Sequence, residues 1–246
     1  MPIFFISSTD IQGSVVSLSP PLSLHLSKSL RVQPGQTIVL GDEQRRRHRA
    51  TVRQIEKGEL VAEIQDTQCG PGPEVPPIIL GQSILKGEKM TSVVQKGTEL
   101  GVTCIVPLLS ERVIPRLSSA PAKRHQERWQ RIALEAAQQS ERWEVPTVGA
   151  VQSFGEFCGA MCPKEYSLIL VERDPQTSLH SIPLPTQWEG CLTLLVGPEG
   201  GWTGPELTEA EKKGCQKVSL GARILRAETA TIAALTILQA RLGHLG

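Results

Sequence analysis

Short apolar runs separated by polar turns fill the first quarter of the chain. They lie at 3–6, 14–18, 37–40, 50–55 and 60–64, with Gly and Pro between several of them. Regularly spaced short strands with such turns predict a small β-barrel, and the pattern of 25–32 predicts a helical interruption. We therefore expect the first domain to be a barrel over residues 1–70.

A proline-rich segment separates this pattern from the next one. Residues 69–77 read CGPGPEVPP, and this density of proline prevents regular structure and stiffens the chain. We place the domain boundary here, with a linker over 71–77 and a second domain over 78–246.

Strands and helices alternate after the linker. The predicted strands are 78–85, 103–108, 167–171, 192–196 and 218–220, and the predicted helices are 89–100, 126–142, 205–213 and 227–243. Strands rich in Val, Ile and Leu that alternate with helices predict a parallel sheet covered on both faces. The second domain is therefore predicted to have an α/β fold.

Composition and charge place few limits on function. The 246 residues carry a formal net charge of only +1, so any surface for nucleic acid must be a local basic patch. The start of the chain has no basic segment followed by a long apolar core, and no stretch reaches the length of a membrane span. We expect a soluble, cytoplasmic protein.

The six cysteines are scattered, and several lie in apolar runs, which is typical of reduced, buried thiols. Cys158 and Cys162 are spaced so that they offer a metal two ligands, but no second Cys or His pair accompanies them. A structural zinc site needs four ligands, so we expect no metal.

The segment 194–201, LLVGPEGG, ends a buried apolar run in glycines. Such a loop lies at the edge where open α/β sheets bind small molecules. It has neither the lysine nor the hydroxyl of a phosphate loop, and Glu199 would repel a phosphate. A ligand without phosphate, such as an adenosine with a cationic sulfonium nearby, suits the carboxylate better. The alternative is a tight turn that binds nothing.

The second loop lies in 220–234, LGARILRAETATIAA. Glu228 and Thr229 fall in the first turn of a predicted helix, where acidic and hydroxyl side chains also serve as ordinary caps. Arg226 is different, because a cation at the positive end of a helix is unfavourable unless an anion meets it. Its partner is Glu199, Glu228 or a bound anion, and these alternatives stay open at the level of sequence.

These two loops, together with QKGTELGV at 95–102, SER at 110–112 and EAAQQSER at 135–142, closely resemble the RsmE family of small-subunit ribosomal RNA methyltransferases. The match extends over nearly the whole chain. The family belongs to the SPOUT superfamily, so the resemblance implies a trefoil knot in the C-terminal domain and a PUA-like N-terminal barrel. It also implies a homodimer that uses S-adenosylmethionine to methylate the N3 imide nitrogen of a specific uridine in 16S ribosomal RNA.

The resemblance also implies roles for individual residues. The implied cofactor-binding residues are Leu195, Val196, Gly197, Glu199, Gly200, Gly201, Leu220, Gly221, Ile224, Leu225 and Arg226. His25 and Arg31 are implied RNA contacts in the barrel, and Lys86, Lys89, Arg112, Arg128 and Arg142 are candidate phosphate contacts elsewhere.

Two positions depart from the family pattern. Ile3 stands where the family has an arginine, so that phosphate contact is either missing or supplied by the basic run at 45–47. Trp202 stands where a phenylalanine is common, which keeps an aromatic wall.

The candidate catalytic residues are Arg226, Glu199 and Glu228. Arg226 would stabilise negative charge on the uracil carbonyls, and Glu199 or Glu228 would accept the imide proton. The alternative function is a non-catalytic RNA-binding assembly factor with a vestigial pocket, against which the intact glycine loops argue. An unrelated nucleotide-binding enzyme is disfavoured by the missing phosphate-loop lysine.

Overall fold

The computed structural model describes residues 3–56, 58–113, 119–161, 166–172 and 177–245, with only the backbone described for 119–121. The chain forms two compact units. The first comprises Met1–Gly72 and Ala137–Glu144, and the second comprises Pro73–Ala136 and Val145–Gly246. No helix within the described ranges combines the length and the apolar character needed to cross a membrane.

The first unit is built on a six-stranded mixed sheet. Its strands are β1 (Ile3–Phe5), β2 (Ile11–Gln12), β3 (Val15–Leu18), β4 (Thr37–Gly41), β5 (Arg46–Glu56) and β6 (Glu59–Cys69), in the order β1-β4-β5-β6-β3-β2. A short 3-10 turn spans Ser8–Asp10, and α1 (Leu22–Leu24) continues into a π-helical turn over His25–Ser29. Among the strand pairs of the described residues in this unit, only β1 and β4 are parallel. The predicted helical interruption is confirmed, although it begins and ends about three residues earlier; closure of the sheet into a PUA-like barrel stays a prediction.

The hairpin of β5 and β6 is longer than the apolar pattern predicts. Residues 46–49 pair with 66–69, beyond the predicted strands 50–55 and 60–64. Charged residues hid this extension. His48 is buried, and its ring nitrogens lie 3.1 Å from Asp42 Oδ2 and 2.9 Å from Thr67 Oγ1, so a polar network replaces the apolar side chains that the pattern requires.

The second unit is an α/β layer structure, as predicted. Its strands are β7 (Ile78–Ser83), β8 (Cys104–Leu109), β9 (Thr147–Val148), β10 (Gln152–Ser153), β11 (Tyr166–Leu170), β12 (Leu192–Val196) and β13 (Gln216–Val218). All are parallel, in the order β10-β8-β7-β12-β11-β13, with β9 beside β8. The helices are α2 (Lys89–Glu99), α3 (Ser119–Gln139), α4 (Phe154–Ala160), α5 (Gly204–Lys212) and α6 (Ala227–Arg241).

Strand β12 is buried along its whole length, with β7 on one side and β11 on the other. Because the sheet is parallel, the carboxyl ends of β12, β11 and β13 meet at one edge. The loops that follow β12 and β13 are the two loops singled out in the sequence. The fold thus brings them to opposite sides of the end of β11.

Candidate functional site

A cavity of about 810 Å³ opens at this edge of the sheet. Its size lies within the usual range of pockets for small organic ligands, roughly 300–1,000 Å³. Leu170, Val196 and Leu225 give it apolar walls, and Ile224 remains 52 % exposed beside them. Apolar walls next to exposed glycine backbone suit a flat heterocycle such as adenine.

The structure brings the predicted cofactor residues together. All of them except Leu195 line the cavity. Leu195 is fully buried on β12 and packs in the core instead, so its side chain serves the fold.

The glycines of the first loop meet constraints within the protein itself. A Cβ on Gly197 would lie 3.2 Å from the indole of Trp202, and Gly201 has a φ of +69° that side chains rarely adopt. Trp202 is held in place because its Nε1 donates a 3.1 Å hydrogen bond to the carbonyl oxygen of Leu170. The tight-turn interpretation therefore explains Gly197 and Gly201 without a ligand.

Arg226 occupies the N-cap position of α6, at the positive end of the helix, and lines the cavity. Its side chain is exposed, and the described residues supply no carboxylate within ion-pair distance. Arg223, three residues before Arg226 in the same loop, also lines the cavity. Of the three partners that the sequence left open for Arg226, Glu199 and Glu228 pair with Lys89 instead, and the bound anion remains.

Lys89 takes both carboxylates that were candidate partners of Arg226. Its Nζ lies 3.1 Å from Glu199 Oε1 and 3.7 Å from Glu228 Oε2. Burial raises the pKa of the Glu199 carboxyl, but hydrogen bonds from its own amide, the Lys89 ammonium and the Lys86 amide outweigh burial and lower the pKa below its ordinary value. Glu199 is therefore a weak proton acceptor.

Glu228 differs from Glu199 in its surroundings. Its Oε2 is buried and has no hydrogen-bond partner, since the distance to Lys89 is too long for one. Glu228 does not itself line the cavity, but Arg226, Ala227 and Ala230 of the same helical turns do. A carboxylate oxygen with no hydrogen-bond donor keeps its lone pairs available to accept a proton.

The candidate RNA contacts of the second unit fall into two groups. Lys89 and Arg112 line the cavity, and Arg112 donates a 2.8 Å hydrogen bond to the carbonyl oxygen of Gly200. Lys86 and Arg128 are exposed and do not line the cavity, and Arg128 pairs with Glu88 at 2.9 Å. Lys86, Arg112 and Arg128 are exposed, as a phosphate contact requires, whereas Lys89 is partly buried.

In the first unit, His25 and Arg31 are both exposed, whereas the Arg142 side chain is only 12 % exposed and lies 3.8 Å from Glu144. Two arginines of the basic run at 45–47 also have partners within this unit. Arg45 pairs with Glu144, and the Arg47 guanidinium lies 3.7 Å above the ring centroid of Trp143. These contacts were not expected from the sequence, and they make Arg45 and Arg47 poor substitutes for the arginine that Ile3 replaces.

Sequence reasoning missed two charged cavity residues, Glu172 and Arg223. Glu172 lies two residues after the end of the apolar strand β11. Ligands of open α/β sheets bind at the carboxyl ends of the strands, and this rule, which identified the glycine loop, also points to Glu172. Arg223 lies between Gly221 and Ile224, which were both predicted.

Cys158 is buried, as predicted for a reduced core thiol. Burial raises the pKa of the Cys158 thiol to about 12, so this thiol is an unreactive core group. Cys162 lies outside the described residues. Across the ranges that the structure describes, no three His, Cys, Asp or Glu side chains form a group able to hold a metal ion.

Comparison with known proteins agrees with this site. Residues 73–239 match the model of a family described as an RNA methyltransferase domain. The chain is 34 % identical to a ribosomal RNA small subunit methyltransferase E from Synechocystis, over 96 % of this chain and 77 % of the relative.

Solved structures give the same result. A ribosomal RNA small subunit methyltransferase E from Neisseria gonorrhoeae, bound to S-adenosylmethionine, superposes with a TM-score of 0.88 at 36 % identity over 98 % of both chains. A methyltransferase from Legionella pneumophila in complex with the same cofactor gives 0.87 at 29 % identity over 97 % of both chains.

Fold, site and family model together define an RNA methyltransferase. Within that class, the chain belongs to the ribosomal RNA small subunit methyltransferase E family. The resemblance found in the sequence is thereby confirmed.

Proposed function

We propose that this protein methylates the N3 imide nitrogen of one uridine in small-subunit ribosomal RNA, with S-adenosylmethionine as the cofactor. Ribosomal RNA methylation follows from the family, and the residues of the cavity fit the cofactor. The observation that carries the uridine assignment is the guanidinium of Arg226, which lines the cavity and is not used by any carboxylate among the described residues.

When bound, S-adenosylmethionine supplies an electrophilic methyl group. The protein must then orient the uracil and stabilise the charge that appears when the imide loses its proton. Arg226 donates hydrogen bonds to the uracil carbonyl oxygens, where that negative charge develops. Water is kept from the base by the apolar walls at Leu170, Val196 and Leu225.

Of the two carboxylates, Glu228 is the better proton acceptor. Glu199 is held by Lys89, and its lowered pKa weakens it as a base. Glu228 keeps an oxygen without a hydrogen-bond donor, and in this proposal it takes the imide proton through a water, because Glu228 does not itself line the cavity. In this proposal Glu199 positions Lys89 at the cavity wall.

RNA contacts supplement the cavity. Lys86 and Arg128 in the second unit, and His25 and Arg31 in the first, are exposed and serve as phosphate or sugar contacts. With only one Tyr and four Phe in the chain, the target base is held in the pocket rather than on a wide stacking surface. The PUA-like barrel, the trefoil knot, the homodimer and a cytoplasmic location complete the proposal.

The test uses radiolabelled S-adenosylmethionine and small ribosomal subunits from cells that lack the modification. We expect label on N3 of a single uridine, located by nuclease mapping. An Arg226→Ala rate within threefold of wild type would refute the charge-stabilising role. Measurable cofactor binding without transfer to any subunit would refute the substrate assignment, and absence of cofactor binding would favour the non-catalytic assembly factor.

A further inference from the structure

Three carboxylates lie at or beside the cavity, and they differ in what holds them. Glu199 and Glu228 both approach Lys89. Glu172 also lines the cavity, and its carboxylate has no cation within 4 Å among the residues that the structure describes. It is therefore the carboxylate that remains available to a neutral ligand group.

The position of Glu172 after β11 indicates which part of a bound ligand lies near it. It follows β11, the strand between β12 and β13, whose loops carry the predicted nucleoside contacts. A Cβ on Gly201 would lie 3.7 Å from Glu172 Oε1, so the carboxylate stands against the backbone of the glycine loop. It thus faces the part of the cavity that lies between the two loops.

We propose that Glu172 accepts hydrogen bonds from the ribose hydroxyls of the cofactor. A carboxylate has two acceptor oxygens and a vicinal diol has two donors, so the two groups match without the transfer of a proton or the pairing of a charge. This inference rests on S-adenosylmethionine as the cofactor. It adds a cofactor-binding residue that lies outside both loop motifs.

The rival ligand for a free carboxylate is the ammonium group at the amino-acid end of the same cofactor. The two possibilities differ in which fragments of the cofactor they affect. 5′-Methylthioadenosine retains the ribose and lacks the amino acid, and its 2′-deoxy and 3′-deoxy forms each lack one hydroxyl.

The experiment measures the affinity of the wild type and of Glu172→Ala for S-adenosylhomocysteine, 5′-methylthioadenosine and the two deoxy forms, by calorimetry or competition. We expect Glu172→Ala to weaken the first two ligands by about 10- to 100-fold, as for hydrogen bonds to a charged group. We expect it to weaken each deoxy form by a smaller factor than 5′-methylthioadenosine, because each deoxy form has already lost one of the two hydrogen bonds.

Glu211→Ala is the matched control. Glu211 pairs with Lys217 at 2.6 Å and does not line the cavity, so its removal should leave all four affinities unchanged. Equal weakening of every ligand by Glu172→Ala, or weakening of S-adenosylhomocysteine alone, would overturn the ribose assignment. Unchanged affinities with slower RNA methylation would also overturn it, since the carboxylate would then face the RNA. A wild type that binds none of the ligands would refute the proposed cofactor itself.

Discussion

The indole Nε1 of Trp202 donates a 3.1 Å hydrogen bond to the carbonyl oxygen of Leu170, at the end of β11. Trp202 is 8 % exposed and follows the glycine loop directly, so this bond connects the loop after β12 to the neighbouring strand. Phenylalanine would keep the aromatic wall without this bond. The loop geometry in this chain thus depends on the tryptophan as a donor as well as on its ring.

Trp202→Phe should lower the free energy of unfolding by about 1–2 kcal/mol, because it leaves a buried carbonyl without its donor. It should also weaken cofactor binding several-fold, since the loop loses a restraint. Urea unfolding and calorimetry measure the two effects. Trp188→Phe is the control, because the described residues show no hydrogen bond from that indole; equal effects of both exchanges would contradict the role of the bond.

Gly197→Ala should destabilise the protein by about 1–3 kcal/mol, as an overpacked core position does. The added Cβ would lie 3.2–3.4 Å from three atoms of the Trp202 ring, which its hydrogen bond prevents from moving. Gly159→Ala in α4 is the control, because a Cβ there meets nothing within 4 Å and alanine favours the helix. If the two variants unfold at the same urea concentration, the contact with Trp202 does not constrain Gly197.

The parallel sheet and its ligand-binding edge could be predicted because strand periodicity and glycine loops are local signals. β12 was predicted with its observed bounds, and the start of α6 at Ala227 was also correct. The helix α4 was missed, although Ser153 and Glu156 form a capping box that announces its start. The capping signal was therefore present, but the two strands before the helix, β9 and β10, have only two residues each and hid the alternation of strand and helix.

Other features depend on contacts between residues far apart in sequence, and no local pattern reports them. Trp143 lies about a hundred residues after Arg47, and their stacking joins the segment 137–144 to the first unit. The pairing of Lys89 with Glu199 and Glu228 also joins residues that are far apart in sequence. Because both carboxylates pair with Lys89, Arg226 has no carboxylate partner among the described residues. Residue types predicted the chemistry of the site, but only the fold assigned the partners.

Replacement of Arg31 should change RNA binding, whereas replacement of Arg47 should change stability. Arg31 is exposed, so Arg31→Gln should weaken RNA binding and reduce the slope of log affinity against log salt by roughly 0.7–0.9, the loss of one phosphate contact. Arg47→Met should leave that slope unchanged and lower stability instead, because it removes the stacking on Trp143. Filter binding at several salt concentrations and thermal unfolding distinguish them; a reduced slope for Arg47→Met would show that the basic run contacts RNA after all.

The Glu199 carboxyl should make stability depend on pH. Its pKa in the folded protein is below the ordinary value of 4.5, so between these two values the unfolded chain binds more protons. Its contribution is therefore complete above about pH 4.5 and is lost as the pH falls through the folded pKa. The difference in unfolding free energy between wild type and Glu199→Gln should shrink from pH 6 to pH 3, whereas a constant difference would mean that charge plays no part.

Glu228→Gln and Glu199→Gln separate the two possible proton acceptors. Glu228→Gln keeps the size of the side chain and removes its basicity, so kcat should fall by about 10²- to 10⁴-fold, the usual contribution of a general base. Cofactor affinity should change little, because Glu228 does not line the cavity. Glu199→Gln should leave kcat within about tenfold, since that carboxylate is already held by Lys89. Single-turnover methylation with saturating cofactor measures both rates, and a larger loss for Glu199→Gln would transfer the proton-accepting role to the glycine loop.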